Sequence, residues 1–484
     1  MGDFNKNTII SGLGWTTVST IANGLAQILR LTILSRFLSK EDFGIVAILT
    51  FILGLTQVFS DMGFSAAIMS QKKISRRDFL SLYWLQFCVF IAMMLCVSVC
   101  SPLIANYYDS SILVKLVPIV MSELFFVSLG KLYDTVLQKN LEFKIIAIRN
   151  IVSASASLLI AIVLALFGYG IYSLVISTIS QTSMVNIWNL ISGQKQYKLS
   201  LQQIDFKHAK ELMKVGYYQM GTQIIDYVAS KLDIIVISSS LGVGALGIYN
   251  LSKELVLKFV IVVNTIVNKV MLPVFTNFQD NLIELRRVFI SSLSRMSLIN
   301  VPIVGFVILF CDIIVSVFYG NTYLEAVPIV QIMAIWSLFV VLGQPNALLA
   351  IATKKTNVSF IYTIVRLVIM YSMLLIFGRS SLLAVAITVT LTYFLMFFVN
   401  WFMLVRNCVC LSFWGYLQSF RKSWWLFILI GCLFFLRMIL LQILHNNYVV
   451  NGLVLFIYII TIILYTIIVE RDIFRELIRK KTYV

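Results

Sequence analysis

At 484 residues the chain is 60% hydrophobic and only 12% charged, whereas charged residues approach about a quarter of a soluble domain. A water-soluble fold is excluded, and an all-α integral membrane protein is expected. The net charge of +17 resides mostly in breaks between apolar runs, so it argues for membrane topology and not for a nucleic-acid partner.

Apolar runs long enough to cross a bilayer fall near residues 10–34, 44–69, 80–105, 113–137, 146–167, 170–192 and 213–240. They continue near 246–275, 288–311, 325–351, 357–377, 382–405, 424–443 and 449–469. At about 20 residues per crossing these are about 14 transmembrane helices. Met1 to Thr8 is short and polar, and the first run lacks a basic leader and small-residue cleavage site, so it is expected to stay as an anchor. No gap between runs could house a soluble domain. A membrane-embedded glycosyltransferase or polymerase would need a sizeable outer loop with acidic catalytic residues, so no enzyme activity is expected.

Basic residues crowd alternate breaks: Lys72, Lys73, Arg76 and Arg77; Lys139, Lys144 and Arg149; Lys195 to Lys214; Arg286 and Arg287; Lys354 and Lys355; Arg406, Arg421 and Lys422; and the tail from Arg471 to Lys481. The intervening breaks hold only Arg36, Lys40, Lys115 and Arg379. The positive-inside rule then places both termini in the cytoplasm.

The second half of the chain repeats the first at a shift of 203 residues (233 − 30). Thr16, Thr20, Asn23, Gln27 and Arg30 follow one another at steps of three or four, on one helix face. Their counterparts are Gln219, Gln223, Asp226, Ser230 and Asp233, and the turn residues Leu38 and Gly44-Ile45 return as Leu241 and Gly247-Ile248. The shift covers an even number of spans, so the copies are parallel repeats. Two six-helix lobes are expected, residues 1–209 and 210–405, with residues 406–484 forming two further helices and a basic tail. The last two helices read as a packing appendage or as a groove for a hydrophobic tail.

Charges inside spans are costly, about 2.5 to 3.5 kcal/mol each at mid-bilayer, so those present must line a hydrated cavity, pair or snorkel. Helical spacing selects Arg30, Lys131, Lys253 and Arg366 as candidate cavity cations, with Lys231 and Lys258 slightly off the stripes. Asn23, Gln27, Gln219 and Gln223 would add a polar lining. Thr50, Gly54, Gln57 and Asp61 share a face, as do Ser359, Thr363 and Arg366, while Glu123, Lys131, Asp134 and Gln138 lie close together on one side. Such a lumen suits an anionic headgroup, because Arg offers a fork to phosphate oxygens and Lys a point charge. Each charge has an equally simple reading as a buried ion pair fixing helix register, for instance Lys258 with Glu254. Asp61, Asp134, Asp226 and Asp233 are candidates for binding a coupling ion, a proton or Na⁺. Tyr133, Tyr227, Tyr249 and Tyr362 lie near the stripes, where sugar rings would stack.

The remaining signatures carry little. Gly242, Gly244 and Gly247 spell G-x-G-x-x-G, yet they lie between membrane spans without a strand-helix-strand context. No Walker A sequence appears. The seven cysteines lack disulfide or zinc spacing, and His208 and His445 fall on opposite sides of the membrane, so no metal or cofactor is expected.

The segments Gly12-Leu13-Gly14-Trp15, Arg30, Leu34-Ser35-Arg36-Phe37-Leu38 and Asp42-Phe43-Gly44-Ile45 resemble the Wzx-type polysaccharide transporters. So do Asp61-Met62-Gly63-Phe64-Ser65-Ala66-Ala67 and, in the second copy, Gly247-Ile248-Tyr249. These transporters belong to the multidrug, oligosaccharidyl-lipid and polysaccharide flippase superfamily. The resemblance implies a multi-pass protein of the bacterial inner membrane that moves an undecaprenyl-pyrophosphate-linked oligosaccharide between leaflets. It further implies alternating access, cavity cations engaging pyrophosphate or acidic sugars, Arg30 as the first-span basic residue, and work beside a polysaccharide polymerase complex. Two rivals from the same superfamily are a cation-coupled multidrug antiporter, which should favour an acidic, aromatic cavity, and a peptidoglycan lipid-precursor flippase, which would share the cationic one.

Overall fold

A computed structural model describes residues 6–71, 74–200, 205, 213–444 and 447–469. His208, His445, the basic tail and the side chains of Gln219 and Lys269 lie outside the described residues. The described chain is helical and contains no strand. Eleven of its helices are long and apolar enough to cross a membrane. Three further long helices, Ile171–Gly193, Lys214–Ser240 and Val243–Asn277, occupy the remaining expected positions. Packing groups the chain into two compact units, Met1–Leu251 with Val317–Tyr323 and Thr363–Thr388, and Ser252–Ser316 with Leu324–Tyr362 and Val389–Val484.

In the first unit, α1 (Lys6–Leu34) packs along α8 (Phe143–Leu166). Helix α2 (Lys40–Asp61) starts at a capping box in which the Asp42 amide donates to Ser39 Oγ at 3.2 Å and the Ser39 amide to Asp42 Oδ2 at 2.9 Å. The expected single span 44–69 is in fact broken. Met62 (φ 41°) and Gly63 (φ 82°) are both left-handed, which no helix continues through, and the chain restarts as α3 (Phe64–Ser70). Helix α4 (Arg76–Val99) gives way at Cys100 to α5 (Ser101–Tyr107), and the fourth span is divided at Ser122 into α6 (Leu113–Met121) and α7 (Glu123–Lys139). Helix α9 (Ile171–Gly193) packs on α7 and α8, and α10 (Lys214–Ser240) on α2 and α3. The connector after α9 is tied back to α4, with Trp84 donating to the Ser200 carbonyl at 3.0 Å and Arg77 pairing with Asp205 at 2.8 Å.

Close helix contacts are made where side chains are absent. A Cβ on Gly44 of α2 would lie 1.9 Å from the carbonyl oxygen of Val243, and one on Gly247 would lie 1.9 Å from that of Lys40. Val243 and Gly247 belong to α11 (Val243–Asn277). Because 243 − 40 and 247 − 44 are both 203, this contact maps onto itself under the sequence repeat. It also accounts for Gly247 of the G-x-G-x-x-G string, while Gly242 (φ 86°) makes the turn between α10 and α11.

The second unit is built on α12 (Leu282–Leu309), packed against α14 (Val327–Ala352) and α19 (Arg421–Leu444). In chain order these alternate with α13 (Cys311–Tyr319), α15 (Thr356–Phe377), α16 (Leu382–Asn400), α17 (Arg406–Val409) and α18 (Phe413–Gln418), of which Val317–Tyr319, Thr363–Phe377 and Leu382–Thr388 belong to the first unit, and α20 (Asn447–Val469) follows α19. Within lipid, helices gain little from burying apolar groups against each other, so hydrogen bonds between helices add specificity. Asn264 and Asn300 exchange amide bonds at 2.9 and 3.1 Å, Ser297 meets Ser423 at 2.6 Å, and Asn346 donates to Asn400 at 2.8 Å. The final helices are pinned by Arg437, which donates to both oxygens of Asp312 at 2.7 and 2.8 Å and to Asn451 at 2.9 Å.

Candidate functional site

The polar stripe of α1 is partly satisfied within its own helix. Thr16 and Thr20 each donate to the carbonyl four residues earlier at 2.8 Å, and Asn23 donates to the Ser19 carbonyl at 2.8 Å. Arg30, at the end of the stripe, reaches across to α8 and α9, donating to Ser157 Oγ at 3.3 Å and Thr178 Oγ1 at 3.5 Å. Its repeat counterpart Asp233 is 0% exposed, accepting from Tyr249 Oη at 2.8 Å and from the Ile234 amide at 3.0 Å. Gln27 is half-buried and Gln223 exposed.

Arg366 of α15 pairs with Asp226 of α10 at 2.5 Å, the arginine side chain 16% exposed and the carboxylate 58%. Asp226 thus counters a cation from another helix, while Lys231 of its own helix is half-buried. Next to Asp226 in sequence, Tyr227 donates to the Thr50 and Phe51 carbonyls at 3.3 and 3.1 Å, and a Cβ on Gly54 would lie 2.1 Å from its hydroxyl. That tyrosine is therefore a packing group seated over a glycine. Tyr133 and Tyr249 are 1% exposed and hydrogen-bonded in the core, closed to a sugar ring.

Asp134 is held by Arg149 at 2.8 Å, and the same guanidinium donates to Asn189 and Asn150. Arg149, read from sequence as part of a basic break, is buried inside α8 at 3% exposure. The Asp134 carboxylate is thereby occupied by protein partners. Asp61 ends α2 and accepts from Ser65 Oγ at 2.7 Å, next to the helix break. Lys131 is half-buried in α7 and, among the described residues, makes no ion pair or side-chain hydrogen bond. Glu123 is buried and accepts from Thr182 of α9, a partner across helices that the polar cluster containing Glu123 could not show.

In the second unit, the Lys253 ammonium lies 5.2 Å from the centre of the Trp336 ring, a cation–π arrangement. Lys258 pairs with Glu254 at 3.2 Å one turn away, the register pair its spacing suggested.

A bundle of long apolar helices that holds Arg and Lys within its spans defines a polytopic all-α membrane protein. Its backbone superposes on the lipid II flippase MurJ in an inward closed conformation with a TM-score of 0.73, covering 94% of this chain and 99% of that one at 17% identity. Residues 33–328 match the polysaccharide biosynthesis protein family, and the chain belongs to it. It is 26% identical over 421 residues to the teichuronic acid biosynthesis protein TuaB of Bacillus subtilis strain 168, covering 86% of each chain. It is 23% identical over 418 residues to the lipopolysaccharide biosynthesis protein WzxC of Escherichia coli K12, covering 86% of this chain and 84% of that one. The resemblance to Wzx-type transporters read from the N-terminal motifs is borne out.

Proposed function

We propose that the protein is a flippase that moves a polyprenyl-pyrophosphate-linked oligosaccharide from the cytoplasmic to the outer leaflet of a bacterial inner membrane, with both termini cytoplasmic. The observation that carries this reading is Lys131, a half-buried ammonium within a span that makes no ion pair among the described residues. A cation kept there at a cost of about 2.5 to 3.5 kcal/mol suits a ligand that brings its own negative charge. Arg30 and Arg366 would serve the same headgroup, Arg30 from a nest of hydroxyls and Arg366 by exchanging the exposed Asp226 for phosphate oxygens.

No covalent step is required. The sequence repeat supports two lobes, residues 1–209 and 210–405, that alternate in access, giving the headgroup a hydrated basic route while the prenyl tail stays in lipid. Lys231, Lys253 and Lys258 are secondary candidates on that route, and a polysaccharide polymerase complex is the natural recipient of the product. The test is transbilayer movement of an undecaprenyl-pyrophosphate oligosaccharide in proteoliposomes, comparing wild type with Lys131→Ala and Arg30→Ala. Movement that depends on these residues supports the reading. A folded protein that moves no such lipid under an imposed ion gradient but exchanges an organic cation would replace it with the antiporter.

A further inference from the structure

The interface of α7 and α9 is polar where an apolar one would pack. Glu123, the first residue of α7, is 5% exposed, and its partner is Thr182 of α9, whose hydroxyl donates to Glu123 Oε1 at 2.9 Å. One turn along α9, Asn186 donates to the Thr182 carbonyl at 2.9 Å, and its backbone lies so close to Gly130 that a Cβ there would sit 2.5 Å from Asn186 Cα. A further turn on, Asn189 accepts from Arg149, which holds Asp134. The spacings 182, 186, 189 and 123, 130, 134 keep these groups on facing helix surfaces, in one seam. The seam runs from the helix break at Ser122 toward the end of the bundle where the basic residues lie.

An ionised carboxylate removed from water needs a cation or several donors, and Glu123 has one hydroxyl. Among the described residues, Glu123 makes no ion pair. Helix α9 and α3 carry no charged residue, those of α4 (Arg76, Arg77, Asp78), α6 (Lys115) and α2 (Lys40, Glu41, Asp42, Asp61) stand at helix ends, Lys144 stands in the first turn of α8, Arg149 of α8 is committed to Asp134, Arg30 of α1 donates to Ser157 and Thr178, and Lys139 donates to the Ile68 and Gln71 carbonyls. On α7 itself, Lys131 is eight residues away, about 80° around the helix from Glu123.

We propose that Glu123 is a proton-binding site inside the first unit, occupied while the α7/α9 seam is closed and emptied when the seam admits water. Its use as the coupling site for transport rests on the flippase reading above. With the proton bound, the carboxyl is a neutral group that one hydroxyl satisfies. With the proton lost, the carboxylate must find water or a counter-charge, so the seam can no longer stay dry. Protonation and helix packing are thereby linked at one residue.

The experiment is infrared spectroscopy of the purified full-length protein in liposomes as pH is stepped through and above neutrality. The expected result is a protonated-carboxyl C=O stretch that disappears reversibly as pH rises and is missing from Glu123→Gln. In Thr182→Val the stretch should move to higher frequency, since the hydroxyl that bonds the carboxyl is gone, which gives a reading even if Glu123→Gln fails to fold. A spectrum in which neither variant differs from wild type, or a band indifferent to pH, overturns the proposal. In the same vesicles loaded with an undecaprenyl-pyrophosphate oligosaccharide, an imposed pH gradient should accelerate movement by wild type and not by Glu123→Gln. Gradient-independent transport by wild type overturns the coupling role. A wild type that transports nothing defeats the flippase reading and leaves the infrared result to decide the proton site.

Discussion

Replacing Gly44 by alanine tests the self-mapping helix contact directly. The new methyl would stand 1.9 Å from the Val243 carbonyl oxygen, 2.7 Å from Val243 Cγ1 and 2.8 Å from its carbonyl carbon. Ordinary contact begins at 3.4 Å, so α2 and α11 must part there by about 1.5 Å (3.4 − 1.9). Backbone has no rotamer to yield, and overpacking of this kind costs about 1–3 kcal/mol. Gly247→Ala creates the same 1.9 Å conflict with the Lys40 carbonyl, so the same cost is expected. One displacement of the same two helices relieves both conflicts, so the double variant should lose about as much as either single variant, not twice as much. The assay is the apparent melting midpoint of detergent-solubilised protein by size-exclusion fluorescence. All four proteins should be heated at one rate, because membrane proteins of this size unfold irreversibly. Additive losses, or a single alanine variant with an unchanged midpoint, would refute the argument.

Asp134→Asn should destabilise by about 3 kcal/mol, the low end for breaking a buried pair, because Asn189 and Asn150 still accept from Arg149. Asp134→Leu combined with Arg149→Met should recover most of the loss, and a neutral Asp134→Asn midpoint would show that the pair contributes nothing. Arg366→Ala should cost under about 1 kcal/mol of stability, as for other exposed pairs, yet slow oligosaccharide-lipid movement by about tenfold or more, equivalent to about 1.4 kcal/mol. Equal transport at equal abundance would remove Arg366 from the route. Among the described residues, neither amide atom of Gln86, which is 0% exposed, has a hydrogen-bond partner, so Gln86→Leu should raise the melting midpoint by relieving about 1 kcal/mol of desolvation. A lower midpoint would mean that a buried water serves this amide.

The spans were legible because a bilayer demands length and apolarity together, and both are local properties of sequence. The interruption at Met62-Gly63 was not, since it sits inside an apolar run and two left-handed residues leave no mark in hydropathy. The α1 stripe was legible as a polar face, but periodicity cannot tell a hydroxyl facing a lumen from one bonded to its own helix, as Thr16 and Thr20 are. In sequence Arg149 reads as part of a basic break because Lys139 and Lys144 precede it. Its partners Asp134 and Asn189 lie on two other helices, and no spacing rule reaches across helices. The same limit hid the Asp226–Arg366 pair, whose members are 140 residues apart, and the bond between Glu123 and Thr182. The glycines of the G-x-G-x-x-G string show the converse, a motif whose residues are explained by a turn and a helix contact.

Arg30 and Asp233 occupy the same place in the two copies, yet one is a cation bonded to the hydroxyls of Ser157 and Thr178 and the other an anion bonded to a tyrosine and a backbone amide. Two identical half-length chains assembling as a dimer could never show this difference, because any change in their gene would appear in both subunits at once. Fusion into one reading frame lets each copy drift alone. Arg30 and Asp233 are a position at which the two copies of this chain carry opposite charge, a difference that only a single chain can hold.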